Sequence, residues 1–274
     1  LGIYSNNEYL LNYGIEAKNG GVVNDLRTHW EYIIALKEDL NNLFIYTLGD
    51  DTNLINYPLH NLIFSQLNFI KSLNDYLITI LVISLILPLI FYLSLKTRFK
   101  DLNKSVIIIL SSIILIFPAF QYSAIWGNNH NTALIFFTLG IFYFNSFIKE
   151  NFTNNRNLII SIIFFSLACY TKQYYSFFFI FLLIYLVNKI ALKKFIFVLL
   201  FCILCAIPGI YYLILNPLLF FGMKQNITNF NSAILISGSI IFVYLIPFII
   251  QKILNFQNYK KFRLIDLLDK KIFL

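Results

Sequence analysis

The feature that most constrains this chain is a series of apolar runs, each about as long as a helix that crosses a lipid bilayer. They cover roughly 76–95, 105–126, 131–148, 157–171, 174–191, 195–216 and 231–250. A hydrocarbon core of about 30 Å needs ~20 helical residues, and a backbone in lipid must satisfy its own hydrogen bonds. The sequence therefore predicts an all-α polytopic membrane protein with about seven transmembrane helices. Composition agrees: 59% of the 274 residues are hydrophobic and 12% are charged, about half the charge of an ordinary soluble domain. Mean hydropathy is +0.73.

Three regions follow. Residues 1–75 are mixed and polar, 76–250 form the helical bundle, and 251–274 are a basic tail or the start of a truncated region. The chain opens on Leu1 with no visible signal peptide. It reads as a fragment lacking a first helix and a C-terminal portion.

Loop charge gives an orientation. Loops 96–104, 149–156 and 188–194 and the tail hold fifteen basic residues, and the other connections hold six. The positive-inside rule puts the first set in the cytoplasm. Residues 1–75, with nine of the thirteen acidic residues, then lie outside. A net charge of +8 distributed this way marks membrane orientation and gives no support to a nucleic-acid partner. The expected location is a bacterial inner membrane, with the chemistry on the extracytoplasmic face.

Within 1–75, Leu26, Trp30, Ile33, Ile34 and Leu36 share one helical stripe, with Asn24 or Asp25 as the expected cap. A second stripe, Leu59, Leu62, Ile63, Leu67 and Ile70, follows Pro58, which suits a first helical turn. Two amphipathic helices at the outer membrane surface are predicted, joined by a turn-rich stretch around Gly49-Asp50-Asp51.

The same topology sends all three histidines to the outer side. Asp25 is the candidate general base, and His29 stands one helical turn further along the same face. The turn Trp126-Gly127-Asn128-Asn129-His130 holds two amides and an imidazole. Lys172-Gln173 ends a span, where an ammonium either snorkels to the interface or binds phosphate. Surface placement, helix capping and interfacial anchoring are the competing readings of these residues. No metal-ligand spacing links His29, His60 and His130, so no metal site is assigned and a divalent cation stays open. Cys169, Cys202 and Cys205 lie inside apolar runs and read as packing residues. There is no phosphate-cradling glycine loop and no Gly-x-Ser-x-Gly, so a cytoplasmic nucleotide site has no support.

Asn24-Asp25-Leu26-Arg27-Thr28-His29-Trp30, followed by Asn56-Tyr57-Pro58-Leu59-His60, resembles the first exterior loop of GT-C membrane glycosyltransferases. The likeness is to the protein O-mannosyltransferase and aminoarabinose-transferase group. The 126–130 turn and Thr171-Lys172-Gln173 resemble that family's later exterior turns. The chain has one proline after Tyr57, where the family often has two, and no second acid beside Asp25. The resemblance implies inverting transfer of a sugar from a polyprenyl-phosphate donor to an extracytoplasmic lipid, glycan or protein acceptor. Asp25 would be the base, with Lys172 or His130 on the lipid phosphate. His29, Tyr57, His60, Asn128, Asn129 and Gln173 would complete the substrate contacts. The competing classes are a transporter or flippase of lipid-linked sugars and a polysaccharide polymerase or ligase.

Overall fold

The computed structural model describes residues 21–45, 58–187 and 189–215. Those residues form helices and turns, with no strand among them. Tyr57, the 49–51 turn, the 231–250 segment and the basic tail lie outside the described residues.

Helix α1 (Gly21–Glu38) and the short α2 (Asn42–Ile45) precede α3 (Leu59–Ser65). The apolar bundle follows. Helices α4 (Leu73–Ser84) and α5 (Ile86–Arg98) run on as one span. Helix α6 (Lys104–Ser112), a 3-10 turn (Ile113–Ile116) and α7 (Pro118–Ile125) make the return path. After them come α8 (His130–Lys149), α9 (Asn155–Cys169), a 3-10 turn (Gln173–Ser176), α10 (Phe177–Leu186) and α11 (Leu192–Leu215).

The surface is apolar where a soluble protein is polar. Leu85, Leu89, Ile109, Ile116, Phe177, Ile180, Leu200 and Leu204 are each more than half exposed. Three helices, Leu73–Arg98, His130–Lys149 and Leu192–Tyr212, are long and apolar enough to cross a bilayer. Together these features mark a membrane protein.

The seven expected spans resolve differently. The pair Lys104–Ile116 and Pro118–Ile125 is bent by 58° and makes a fourth crossing if it is a single span. The bend sits where Pro118 ends the preceding helix. Gln121 Nε2 donates to the Leu115 carbonyl at 3.0 Å, supplying a partner near the break. The segments Asn155–Cys169 and Gln173–Leu186 are helical but short. Fifteen residues of helix reach only about 22 Å, so among the described residues three helices, or four counting the bent pair, have the length of a span.

Side chains define the helix starts. Ser72 and Asp75 form a reciprocal capping box at α4. Asn103 and Asn154 accept from backbone N–H groups at the starts of α6 and α9. The chain leaves α8 through Asn151 and Phe152, both with positive φ. Phe152 N–H donates to the Phe147 carbonyl at 3.1 Å, and Asn151 N–H donates to Ile148 at 3.0 Å. This pair of hydrogen bonds is a Schellman stop, closed by Phe152 packing on Phe147.

Inside the bundle, Asn131 Nδ2 donates to Ser84 Oγ at 2.9 Å and Asn145 Nδ2 to Ser94 Oγ at 3.5 Å. Both links join the Leu73–Arg98 span to α8 and increase together along the two helices, so these helices run in parallel. The return through α6 and α7 makes that possible. Gly140 brings α8 against α9, because a Cβ there would stand 2.5 Å from the Phe165 ring. Successive reversals gather α1, α3, the 126–130 turn and the 170–175 turn at one end. The basic loops 96–104, 149–156 and 189–194 lie at the other.

Gly140→Ala should destabilise the bundle by about 1–3 kcal/mol, the usual cost of overpacking. Adding Phe165→Leu should recover part of that loss. Thermal unfolding in detergent measures both, and an unchanged midpoint in the single variant would contradict the close helix approach.

Candidate functional site

The site is built around His60. Tyr76 has one hydroxyl proton and donates it to the Gly127 carbonyl at 2.6 Å. His60 Nε2 lies 2.9 Å from the Tyr76 oxygen and so must carry the proton it donates there. That tautomer leaves Nδ1 as an acceptor, 3.0 Å from Thr132 Oγ1. His60 is fully buried, and burial holds its imidazole neutral, well below the ordinary histidine range. Expected as a substrate contact, His60 has both ring nitrogens engaged and instead ties α3, the start of α4 and the start of α8 together.

His29 packs edge-on against His60, with ring centroids 5.2 Å apart. Its Nδ1 lies 2.9 Å from Asn61 Oδ1. Burial lowers its pKa to about 4, with Lys172 and His130 pushing the same way and the Asn61 bond opposing. The ring is neutral at pH 7. His29 also docks α1 onto α3, helped at the far end by Lys37, whose ammonium donates to the Leu67 carbonyl at 3.2 Å and to that of Ile70. Ile33, Phe64, Ile70, Tyr76, Leu77 and Ile80 form the apolar seam beneath. The outer helices therefore pack on each other and on α4, a tighter arrangement than two helices lying separately at a membrane surface.

Asp25 is not the helix cap, because it lies within α1. It is exposed at the residue level, yet partial burial of its carboxyl raises its pKa, and the Lys172 ammonium offsets part of that rise. Burial in turn lowers Lys172 to about 8, opposed by Asp25. Residues 147 positions apart in the chain thus act on one another electrostatically.

The 126–130 turn is fixed from several sides. Gly127 has φ +66°, and a Cβ there would meet the Tyr76 ring at 2.8 Å. Ser123 Oγ donates to the Asn128 carbonyl at 3.0 Å and accepts from Asn131 N–H at 3.2 Å. Asn129 Nδ2 donates to the Thr171 carbonyl at 3.4 Å, which brings the turn against the residue before Lys172. The side-chain oxygens of Asn128 and Asn129 are buried with no hydrogen-bond partner among the described residues. His130 is half-buried, its Nδ1 3.3 Å from the Tyr174 hydroxyl. Gln173 is exposed beside it.

The structure therefore brings Asp25, His29, His130 and Lys172 to one end of the bundle, with Asn129 against Thr171. Asn61, Tyr76, Thr132 and Tyr174 were not singled out from the sequence, since nothing in their local pattern separates them from interfacial or capping residues. Among the described residues no group of three or more His, Cys, Asp or Glu stands close enough to hold a metal ion. No family model matches the chain, and no curated protein or solved structure matches it.

For a histidine with a depressed pKa, stability is present above its unfolded value and is lost as pH falls toward its folded value. His29 places that window between 6.5 and about 4. Folding stability should fall there by about 1.4 kcal/mol per pH unit for each such histidine. Denaturant unfolding from pH 7.5 to 5 should show the loss, and His29→Gln should flatten but not abolish it, because His60 contributes in the same direction. A slope unchanged by His29→Gln would contradict the buried neutral imidazole.

Proposed function

We propose that the chain is a multi-pass membrane glycosyltransferase of the GT-C type. It moves a sugar from a polyprenyl-phosphate donor to an extracytoplasmic lipid, glycan or protein acceptor. The observation carrying this reading is that the Asp25 carboxylate and the Lys172 ammonium are near enough to shift one another electrostatically, at the end of the bundle opposite its basic connections. The positive-inside rule makes the basic end cytoplasmic and the Asp25 end exterior, in a bacterial inner membrane.

The residues supply what an inverting displacement needs. The acceptor oxygen attacks the anomeric carbon, and the bond from that carbon to the phosphate oxygen breaks. Polyprenyl phosphate leaves with the electron pair, and Asp25 takes the acceptor proton. Burial raises its pKa, which makes Asp25 a better base. Lys172, on the site side of Thr171, offsets charge developing on the leaving phosphate. His130, held toward Tyr174, is the second phosphate contact. The buried amide oxygens of Asn128 and Asn129 are acceptors suited to sugar hydroxyl donors. His29 and His60 act through position, holding α1 and with it Asp25.

A coupled transporter would place ionisable residues at the membrane midplane. No Asp, Glu, Lys or Arg lies within 76–95, 131–148 or 195–212, which favours transfer over coupled transport.

The test is transfer by the purified chain from a panel of radiolabelled undecaprenyl-phosphate sugars. Asp25→Asn should lower the rate by about a hundredfold or more, the range of a lost general base. Retained activity would remove Asp25 from that role. The wild-type rate should decline as pH rises through about 8, where Lys172 loses its proton. Lys172→Arg, charged at every accessible pH, should extend the plateau upward; an identical alkaline limb in that variant would exclude Lys172 as its source.

A further inference from the structure

We propose that α11 pivots at Pro208 and that the Tyr170 hydroxyl is the latch that holds the pivot closed. The cleft between α10 and α11 opens when this one side-chain contact breaks. The proposal requires nothing of the transferase reading.

Helix α11 runs from Leu192 to Leu215 with Pro208 inside it. Pro208 has no N–H, so the Leu204 carbonyl, one turn earlier, loses its ladder donor. Lipid offers no water in exchange, and proline is tolerated in a membrane helix where neighbouring side chains re-satisfy the freed groups. Tyr170, at the end of α9, reaches the break. Its hydroxyl donates to the Cys205 carbonyl. The Gly209 N–H, the ordinary ladder donor to that carbonyl, faces the tyrosine oxygen instead. A side chain inserted into the ladder is a known cause of helix bending. Gly209 permits the approach: it is buried, and a Cβ there would stand 2.9 Å from the Tyr170 ring.

The two arms of α11 are held by different parts of the molecule. Below the break, the Lys194 ammonium donates to the Phe152 carbonyl at 2.6 Å, and Val198 packs in the core with Phe144, Phe165 and Leu182. Above it, Tyr212 is buried with its hydroxyl at that of Tyr32 on α1. The lower arm is thus fixed to the bundle and the upper arm to the docked outer helices. The latch residue joins the same outer group, since the Tyr170 carbonyl accepts from Leu59 N–H at the start of α3, at 3.4 Å.

The cleft has a volume of about 610 Å³. Cys202 and Cys205 line it below the break, Gly209 and Ile210 above it, and Tyr170 forms part of its wall. Ile203 and Ile210 are each more than half exposed, so the cleft faces the bilayer. A swing of the upper arm therefore sets how wide the cleft stands beside Tyr170.

The chain's three cysteines all line the cleft and report its opening. The full chain in phosphatidylcholine nanodiscs is labelled with N-ethylmaleimide, and each cysteine is followed by mass spectrometry. Tyr170→Phe keeps the ring and removes the latch. It should speed labelling of Cys169 and Cys205, which flank the break, by about fivefold, the effect of one lost hydrogen bond on an opening equilibrium. Cys202, deeper in the fixed arm, should label at the wild-type rate. Gly209→Ala, whose methyl displaces the Tyr170 ring, should reproduce this pattern. Pro208→Ala returns an N–H to the ladder, and adding Tyr170→Phe to it should speed labelling by less than about twofold.

Unchanged labelling of Cys169 and Cys205 in Tyr170→Phe would overturn the proposal. Equal acceleration at all three cysteines would show general loosening and would also overturn it. The same acceleration with and without Pro208 would place the movement elsewhere, with the same consequence. Should Tyr170→Phe fail to fold, Gly209→Ala with and without Pro208→Ala decides the question by the same rates.

Discussion

The end of this molecule that carries the histidines depends on one buried chain of hydrogen bonds. Thr132 donates to His60, His60 to Tyr76, and Tyr76 to the carbonyl of Gly127. Burial holds His60 neutral, and the donation of the Tyr76 proton to Gly127 then fixes its tautomer. Buried polar groups strengthen a fold only when fully satisfied, and here they join α3, α4, the 126–130 turn and α8. Helix α1 is then docked on α3 through His29 and Asn61. The position of Asp25 is thus set by imidazoles that have no chemical step of their own.

Lipid supplies the other constraint. Apolar side chains face outward along α4 to α7 and along α11, so polar side chains either pair between helices or move to the ends. Asn131 with Ser84 and Asn145 with Ser94 are the paired kind. Asp25, His130 and Lys172 are the kind moved to an end. Chain reversals decide which end, and they collect carboxylate and ammonium opposite the basic connections.

Much of this was legible in the sequence. Apolar runs located the bundle helices of the described region, because hydropathy over some twenty residues dominates any local preference. Alternating loop charge separated the two ends. Helix length was less legible: Asn155–Cys169 and Gln173–Leu186 are apolar throughout but end early, and the Pro118 break turns one apolar run into two helices. At the site, Asp25 and Lys172 stood out as charges beside apolar runs. The assignment of Asn24 or Asp25 as a cap failed because both lie within α1. His60 was read as a ligand contact because a sequence shows a histidine without its partners, and Tyr76 and Thr132 are supplied by residues 16 and 72 positions away.

The transferase reading stands on Asp25 and Lys172, far apart in the chain, meeting at one end of the bundle. The most direct test replaces the native cysteines by serine, introduces Asp25→Cys with Lys172→Cys, and treats intact cells with a short membrane-impermeant bismaleimide. The account predicts an intramolecular cross-link for this pair and none for Asp25→Cys with Asp101→Cys, whose positions lie at opposite ends of the bundle. Absence of the first cross-link, or its formation only after the membrane is permeabilised, would contradict the account.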